Sequence, residues 1–473
     1  MLGEEYLGVN AAITNLIAVL SLAELGFSQA IAYLLYKPLS DKNIGKTLSY
    51  INYFKKIYLY IGYFIIFAGI SLLPFLKNLI PTTINTTELN IIFLLFVANS
   101  SVTYFWSYKR TLIIADQKNY KIIPVISIFQ TLDLAIKSLF LFLIKDFIFI
   151  LCLQLILKLL ENYFVNRKIN KLYSNMFSKT ETPLTNDEKK IINNKTIATF
   201  YHRIGDVFVN STENIIISAF IGVSILGIYS NYTLLVALST SFLSVLFKSI
   251  IASFGNLIVE KKHKSEESFY IIQLLSIFIF GLVSINILTQ ISNIISYWLG
   301  EKYIISESIV ILLTIKFFIM GIRTPVLIAK TAGGIFEKDK YAPMCEGIIS
   351  LVLALLLVDK YGIIGILIAQ LISLIIVPLW IQPYITYKYV FFSNIINYIK
   401  KLSVILLIAF VSMLVSIILL NYINQVIPQN NIFSLVLKSI LVSLSYSISF
   451  LLLTCRSTEF NILKSKVKST LIY

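Results

Sequence analysis

Long runs of apolar residues recur along this chain and leave few folds open to it. Residues 57–76 and 402–420 are two such runs, and a helix of about 20 residues crosses a hydrocarbon core about 30 Å thick. A membrane β-barrel would instead show alternating segments of about ten residues. Charged residues make up only 14% of the chain, whereas soluble domains average about a quarter. The sequence therefore predicts an all-α integral membrane protein.

Thirteen apolar segments are long enough to be membrane-spanning helices. They cover residues 9–36, 57–76, 88–107, 122–143, 147–165, 196–221, 225–257, 269–289, 304–329, 341–358, 361–386, 402–421 and 432–454.

The basic residues are distributed unevenly between the loops that join these spans. Of the 40 Lys and Arg residues, 29 lie in one alternating set of loops and 4 in the other. Because loops rich in Lys and Arg stay in the cytoplasm, this bias predicts a cytoplasmic C-terminus and places Met1 outside. The net charge of +16 follows from this topology and does not indicate binding to nucleic acid.

The two halves of the chain resemble each other at a constant offset of 219 positions. Leu7-Gly8 recurs as Leu226-Gly227, Glu88 as Glu307, and Lys121 with Pro124 as Lys340 with Pro343. A shared offset with matching span order predicts a parallel repeat about an axis along the membrane normal. The counterpart of span 196–221 would lie before Met1, so we expect a fourteenth helix encoded upstream.

The predicted organisation is two parallel-repeat lobes around a central cavity. Residues 1–165 form the N-terminal lobe, which lacks its first helix, and residues 166–195 form a cytoplasmic linker. Residues 196–386 form the C-terminal lobe. Two extra helices and a basic cytoplasmic tail occupy residues 387–473.

Span 196–221 carries a polar stripe. Its members recur at three- and four-residue steps and include Arg203, Asp206, Asn210 and Glu213, so they share one helix face. Buried charges in a membrane normally face a partner or a watery cavity. The stripe is therefore interpreted as a cavity wall, or alternatively as a polar interface in which Arg203 and Asp206 pair with each other.

Further ionisable residues lie inside other spans. They are Glu24, Asp133, Lys137, Lys248, Lys316, Arg323 and Lys438. Asp133 and Lys137 are spaced i,i+4 and could form an internal ion pair. Lys248 and Lys316 have no obvious partner on their own helices, which favours an anion-binding site. Pro325 is expected to permit a bend in its span.

The sequence shows none of the common patterns of catalytic or cofactor sites. We find no phosphate-binding loop, metal-ligand cluster or nucleophile elbow. Cys152, Cys345 and Cys455 are odd in number and far apart, so no disulfide framework is expected. No cofactor, no metal and no removable signal peptide are predicted.

Several segments resemble the polysaccharide-export flippases, the O-antigen and capsule (Wzx-like) transporters. The resemblance spans about residues 6–390 and includes Ile217-Ser218-Ala219-Phe220 with Leu226-Gly227-Ile228-Tyr229, Trp298-Leu299-Gly300-Glu301-Lys302-Tyr303, and Gly321-Ile322-Arg323-Thr324-Pro325 with Asp339-Lys340-Tyr341-Ala342-Pro343. This family belongs to the multidrug/oligosaccharidyl-lipid/polysaccharide exporter superfamily, which includes the multidrug (MATE) exporters and the lipid II flippase. The resemblance implies two six-helix lobes around a central cavity, often with two extra helices.

The resemblance also implies an activity and a set of site residues. The activity is translocation of an undecaprenyl-pyrophosphate-linked oligosaccharide across a bacterial cytoplasmic membrane, by a transporter rather than an enzyme. We expect Arg203, Lys248, Lys316, Arg323, Asn210 and Lys137 to contact the substrate. We expect Asp206, Glu213, Glu24 and Asp133 to balance charge or to bind a coupling ion, a proton or sodium. The expected partners are membrane lipids, a polysaccharide polymerase and glycosyltransferases.

Two other functions stay open from the sequence. A multidrug exporter would share the fold, but its cavity should be acidic and aromatic to accept organic cations. A polysaccharide polymerase or ligase would be an enzyme, and it usually needs a large extracytoplasmic loop. The predicted outside loops here are short, the longest lying near residues 77–87 and 290–303.

Overall fold

The computed structural model describes residues 3–21, 35, 38–39, 41–116, 118–178, 180, 182–185, 211–260, 262–333, 335, 338–339, 341–426, 431–462 and 464. Within these residues the chain is helical and contains no β-strand. It divides into two compact units, one formed by Met1–Gly227 with Pro343–Leu351 and the other by Ile228–Ala342 with Val352–Tyr473.

Helices of five residues or more are numbered in chain order. The chain up to Gly227 contains α1 (Glu4–Leu20), α2 (Ile44–Leu72), α3 (Thr86–Ala115), α4 (Ile123–Leu143), α5 (Phe147–Leu172), α6 (Thr212–Ile216) and the start of α7 (Val223–Lys248). Shorter turns lie at Leu73–Phe75, Leu76–Leu79, Asn119–Lys121 and Ser174–Phe177, and a π-helical turn lies at Ile217–Ile221.

The remainder of the described chain is also built of helices. It contains α8 (Ile250–Glu260), α9 (Lys262–Leu299), α10 (Glu307–Ala332), α11 (Ala342–Tyr361), α12 (Ile363–Ile376), α13 (Pro378–Thr386), α14 (Ile395–Val426) and α15 (Ile432–Thr454). A 3₁₀ turn lies at Glu301–Tyr303, and a π-helical turn at Tyr387–Phe391 extends α13.

Eleven helical segments in the described part of the chain are long and apolar enough to cross a membrane. They correspond to eleven of the thirteen predicted spans, so the prediction of an all-α membrane fold is confirmed. The other two spans, 9–36 and 196–221, run beyond the described residues on one side. The proposed helix upstream of Met1 and the predicted lobe boundaries stay predictions.

Local sequence signals explain several helix starts. The side chains of Asn43, Asn85 and Asp146 accept hydrogen bonds from backbone N–H groups in the first turns of α2, α3 and α5. Such caps satisfy donors that have no partner inside the helix. Pro124 lies in the first turn of α4, where its missing N–H removes no intrahelical bond.

The repeat-related glycines meet in a close helix crossing within the first unit. A Cβ on Gly8 would lie 1.9 Å from the carbonyl oxygen of Val223, and one on Gly227 would lie 2.0 Å from that of Glu4. Val223 is 219 positions after Glu4, and Gly227 is 219 positions after Gly8. The two contacts are therefore equivalent under the repeat, as expected for a pair of elements related by a two-fold axis.

In the second unit the two helices near the C-terminus pack on α9. Ile277 and Ile285 of α9 share a buried cluster with Ala409 of α14 and with Val442 and Tyr446 of α15. At one end of this cluster Lys401 lies 3.9 Å from the ring centre of Tyr270. The same lysine donates to Glu459 over 2.6 Å, so a charged contact joins α14 to the segment that follows α15.

Candidate functional site

A cavity of about 350 Å³ lies within the second unit and combines two of the predicted cations. Thr240, Ser244 and Lys248 line it from α7, where their four-residue spacing places them on one face. Arg323, Thr324 and Thr331 line it from α10, and Phe280 contributes from α9. We refer to this space, with Lys248 and Arg323 in its wall, as the cationic cavity.

Pro325 and α9 determine the hydrogen bonds that the backbone makes next to Arg323. Pro325 lies inside α10, and because it has no N–H, the carbonyl oxygen of Gly321 loses its intrahelical donor. The hydroxyl of Ser276 donates to that oxygen over 2.7 Å, and the amide of Gln273 donates to the carbonyl of Ile322 over 3.2 Å. Ser276 of a neighbouring helix thus supplies the donor that proline removes, as membrane interiors require.

A glycine allows α9 and α10 to approach each other at this point. A Cβ on Gly321 would lie 2.4 Å from the Cβ of Phe280, so no larger residue fits without movement of the helices. The Phe280 ring packs against Phe317 of α10 at 5.1 Å and against Phe247 of α7 at 5.9 Å between ring centres. These contacts hold the apolar side of the cationic cavity.

Three of the predicted cations of this unit, Lys248, Lys316 and Arg323, have different surroundings. Arg323 donates from Nε to Oε1 of Gln382 over 3.3 Å, and Lys316 donates from Nζ to Oε1 of Gln370 over 2.6 Å. Lys316 lies two turns before Arg323 on the same face of α10 but does not line the cavity. Lys248 is exposed at the cavity wall and makes no hydrogen bond or ion pair within the described part of the chain.

A second polar cavity, of about 400 Å³, lies within the first unit. Asp133 lines it together with Asn99, Gln130, Gln154 and Glu161. Oδ2 of Asp133 pairs with Nζ of Lys137 over 2.6 Å, which is the internal ion pair considered from the sequence. The other carboxylate oxygen, Oδ1, is buried and has no hydrogen-bond partner among the described residues.

A charged network beside this polar cavity was not anticipated from the sequence. Glu161 of α5 is buried, and its carboxylate accepts from Arg110 over 2.7 Å and from Lys158 over 3.0 Å. Arg110 also donates to Asn162 over 2.9 Å. Arg110 was counted among loop residues, whereas the structure places it inside α3. The i,i+3 spacing of Lys158 and Glu161 within one predicted span was the available signal.

Other predicted site residues fall into two groups. Glu213, in α6, is described and buried. Arg203, Asp206, Asn210 and Glu24 lie outside the described residues, so the polar stripe, including the role of Glu213 in it, stays a prediction. A further ion pair, between Lys330 and Asp339, is buried next to the end of α10 and was also not predicted.

Comparison with known proteins gives similarity at the level of the fold. No protein-family model and no curated protein matches the sequence. A structure of the lipid II flippase MurJ in an inward closed conformation matches with a TM-score of 0.63 and 14% identity over 95% of this chain and 97% of that chain.

Multidrug transporters match as well. An inward-facing multidrug resistance MATE family transporter of the MOP superfamily matches with a TM-score of 0.64 and 14% identity, over 81% of this chain and 91% of that chain. A MATE protein in complex with MaL6 matches with a TM-score of 0.52 and 15% identity, over 81% and 89% of the two chains. The chain therefore has the helical fold that is found in MurJ and in the MATE transporters.

Proposed function

We propose that this protein is a transporter that moves a lipid-linked anionic oligosaccharide across the membrane. The observation that carries the proposal is the cationic cavity, which Lys248 and Arg323 line together with the hydroxyl-bearing residues Thr240, Ser244, Thr324 and Thr331. Cations supply charge-assisted hydrogen bonds to phosphate oxygens, and the hydroxyls can bind sugar. One structural neighbour, MurJ, is a lipid II flippase, which agrees with a lipid-linked substrate.

The physical chemistry of an undecaprenyl-pyrophosphate-linked repeat unit suits such a cavity. Its head group is polar and anionic, so it needs a wet, cation-bearing path through the bilayer. Its polyprenyl tail can stay in the lipid throughout. An inside-negative potential favours outward movement of an anion by roughly 2.3 kcal/mol per charge per 100 mV. We propose alternating access as the mechanism, with Lys316 and Arg203 as further contacts for the head group.

Acidic residues are proposed to balance charge or to bind a coupling ion. Asp133 is the described residue that fits this role best, because one of its carboxylate oxygens is buried without a partner in the polar cavity. Glu213, Asp206 and Glu24 are proposed for the same role from the sequence. The ion would be a proton or sodium.

The proposed location is a bacterial cytoplasmic membrane, with the C-terminus on the cytoplasmic side. The excess of Lys and Arg in one set of loops supports this orientation. A polymerase and glycosyltransferases that act on the same lipid-linked unit are proposed as functional partners.

A multidrug exporter is the second candidate, since MATE transporters share the fold. Organic cations would be repelled by the wall that Lys248 and Arg323 form, so the cationic cavity favours an anionic substrate. A polysaccharide polymerase is less well supported, because no transport cavity is needed for that chemistry.

Deletion of the gene distinguishes these functions. Loss of the proposed flippase should trap complete lipid-linked repeat units on the cytoplasmic face, where an impermeant glycosidase added outside cannot reach them. Loss of a polymerase should instead leave single flipped units accessible from outside. Unchanged lipid-linked intermediates in the deletion strain would contradict the proposal, and altered drug resistance alone would favour the multidrug exporter.

A further inference from the structure

A groove between α4 and α5 combines an apolar slot with three cations. Val125, Ile128 and Phe129 line it from α4, and Phe164, Arg167, Lys168 and Lys171 line it from α5, enclosing about 350 Å³. All seven residues belong to the first unit. The groove is distinct from the polar cavity, which it meets only at Phe129.

Helical periodicity explains why one end of the groove is apolar and the other basic. Phe164, Arg167, Lys168 and Lys171 are spaced i, i+3, i+4 and i+7, so they follow one face of α5. Seven residues at 1.5 Å each place Lys171 about 10 Å beyond Phe164 along the helix. The rings of Phe129 and Phe164 stack with centres 5.7 Å apart and close the apolar end.

The cations of the α4–α5 groove have no hydrogen-bond or ion-pair partner among the described residues. Arg167, Lys168 and Lys171 are exposed, and none of them makes a hydrogen bond or ion pair within the described part of the chain. Their neighbours Arg110 and Lys158, by contrast, are both bound to Glu161. The basic end of the groove therefore carries a net charge that an anionic ligand would balance.

The apolar wall indicates what kind of anion fits. No residue of α4 is buried, and exposed side chains such as Ile128, Leu132, Leu134 and Leu139 line its outer surface. In a bilayer this surface is covered by acyl chains. The groove thus joins an apolar slot that faces hydrocarbon to a basic rim. This rim lies at the end of α4 and α5 that adjoins the lysine-rich loops. Basic pockets between membrane helices on that side suit anionic head groups.

We propose that the α4–α5 groove binds an anionic glycerophospholipid such as phosphatidylglycerol. The phosphate lies between Arg167, Lys168 and Lys171, and an acyl chain lies against Val125, Ile128 and the stacked Phe129 and Phe164. The bound lipid bridges α4 to α5 at this end. The site does not depend on the proposed transport activity, because none of its cations lines the cationic cavity.

Native mass spectrometry of the purified full-length protein tests the proposal. Dioleoylphosphatidylglycerol, dioleoylphosphatidylcholine and glycerol 1-phosphate are titrated separately in detergent. Phosphatidylglycerol is expected to bind more tightly than the zwitterionic lipid, and glycerol 1-phosphate more weakly than either, because it lacks the chains. Equal affinity for the two lipids would overturn the charge requirement. Equal affinity for glycerol 1-phosphate and phosphatidylglycerol would show a free-anion site and overturn the lipid assignment.

Two triple variants locate the binding. In the first, Arg167, Lys168 and Lys171 are each replaced by Gln, and phosphatidylglycerol affinity is expected to fall about 100-fold, since each basic residue near a charged lipid surface contributes on the order of 1 kcal/mol. In the matched control Lys55, Lys56 and Lys400, also exposed, are replaced by Gln, and affinity should stay within about twofold. Equal loss in both variants, or loss in neither, overturns the site.

Thermal melting provides a second measurement on the same samples. Without lipid, all three proteins should melt at the same temperature, which shows that the variants fold. Added phosphatidylglycerol should raise the melting temperature of the wild type and of the control variant but not that of the groove variant. An equal rise in the groove variant contradicts the proposal. A Lys248→Gln variant should bind phosphatidylglycerol like the wild type, so failure of the transport proposal and failure of this one are distinguishable.

Discussion

Lys248 is the last residue of α7, and its charge is available to bind an anionic ligand. It lines the cationic cavity beside Arg323, and no described residue forms an ion pair with it. Arg323, in contrast, is already held by Gln382. At the residue scale, the two therefore differ in role: Arg323 is oriented in advance, and Lys248 is free to follow an anionic group.

Neutralising Lys248 is expected to impair transport without impairing folding. A hydrogen bond to a charged group contributes about 1.5–3 kcal/mol, so Lys248→Gln should lower the rate of substrate export by roughly 10- to 100-fold. Surface polysaccharide is measured in a deletion strain that carries the variant, with membrane protein levels checked by immunoblot. Lys264→Gln, at an exposed lysine in the first turn of α9, is the control and should export normally. Normal export by Lys248→Gln would remove this residue from the site.

Glu459 gives the protein a measurable dependence on pH. Burial by itself would raise the pKa of Glu459, but the hydrogen bond from Lys401 and a backbone hydrogen bond lower it below 4.5 overall. A lowered folded-state pKa means that the charged pair contributes stability above about pH 4.5, and that this contribution is lost as the pH falls through the folded-state pKa. Since Lys401 is partly exposed, the pair contributes only about 0.5–1 kcal/mol.

Melting temperatures in detergent test whether the charge of Glu459 contributes to stability. Glu459→Gln should melt below the wild type at neutral pH, and the gap should narrow at an acidic pH below the folded-state pKa of Glu459, where the wild-type carboxylate is also protonated. Glu267→Gln, at an exposed glutamate of α9, should match the wild type at both pH values. A gap that persists at the lower pH would show that the charge of Glu459 is not responsible.

At the scale of helices, the pairing of α9 with α10 depends on a proline in one and a serine in the other. Ser276→Ala leaves the carbonyl of Gly321 without its donor and should lower the free energy of unfolding by about 1 kcal/mol. In a Pro325→Ala background the new N–H can take over that carbonyl, so the same serine change should cost close to nothing. The two effects are compared by a double-mutant cycle of unfolding in detergent.

Ser284 provides the matched control for this cycle. It is another buried serine of α9, and its hydroxyl has no hydrogen-bond partner in the described structure. Ser284→Ala should therefore have the same small effect with or without Pro325. Equal costs of Ser276→Ala in both backgrounds would mean that its hydroxyl does not compensate for the proline.

Two glycines, Gly227 in the crossing of α1 with α7 and Gly255 in α8, should respond in opposite ways to replacement by alanine. Gly227→Ala would place a methyl group 2.0 Å from the carbonyl oxygen of Glu4, and such overpacking costs about 1–3 kcal/mol. Gly255→Ala would place a methyl group no closer than 3.8 Å to a neighbour, and it should stabilise α8 by about 0.5–1 kcal/mol. Thermal stability of the two variants is measured side by side. A stable Gly227→Ala variant would contradict the close approach.

At the scale of the whole molecule, the orientation predicted from the loop charges can be tested with native cysteines. Cys345 and Cys455 are exposed and lie at helix ends that the charge bias assigns to the cytoplasm. In intact spheroplasts an impermeant maleimide should leave both unlabelled and should label them after permeabilisation. A cysteine introduced by Lys302→Cys, in a predicted outside loop, should be labelled without permeabilisation. Labelling of Cys455 in intact cells would reverse the orientation.

Much of the fold could be predicted from the sequence, whereas the candidate site could be predicted only in part. Lys248 and Arg323 were identified because cations inside apolar spans are costly unless they have a role. Their shared cavity was not foreseen, because they are 75 positions apart on different helices. The network of Glu161 with Arg110 was missed because Arg110 was assigned to a predicted loop and nothing in the chain between the two residues indicates that they are in contact.

What the sequence determined by itself was the class of fold and the positions of the helices. Apolar runs of bilayer length fix where each helix lies, since a lipid interior forces the backbone to satisfy its own hydrogen bonds. What only the tertiary structure decided was which polar groups come together: the hydroxyl of Ser276 bonds the carbonyl freed by Pro325, and Lys248 and Arg323 line one cavity. The reason is that helices in lipid are not brought together by hydrophobicity. Close packing of small residues and interhelical hydrogen bonds choose the partners, and those depend on three-dimensional fit rather than on any local pattern.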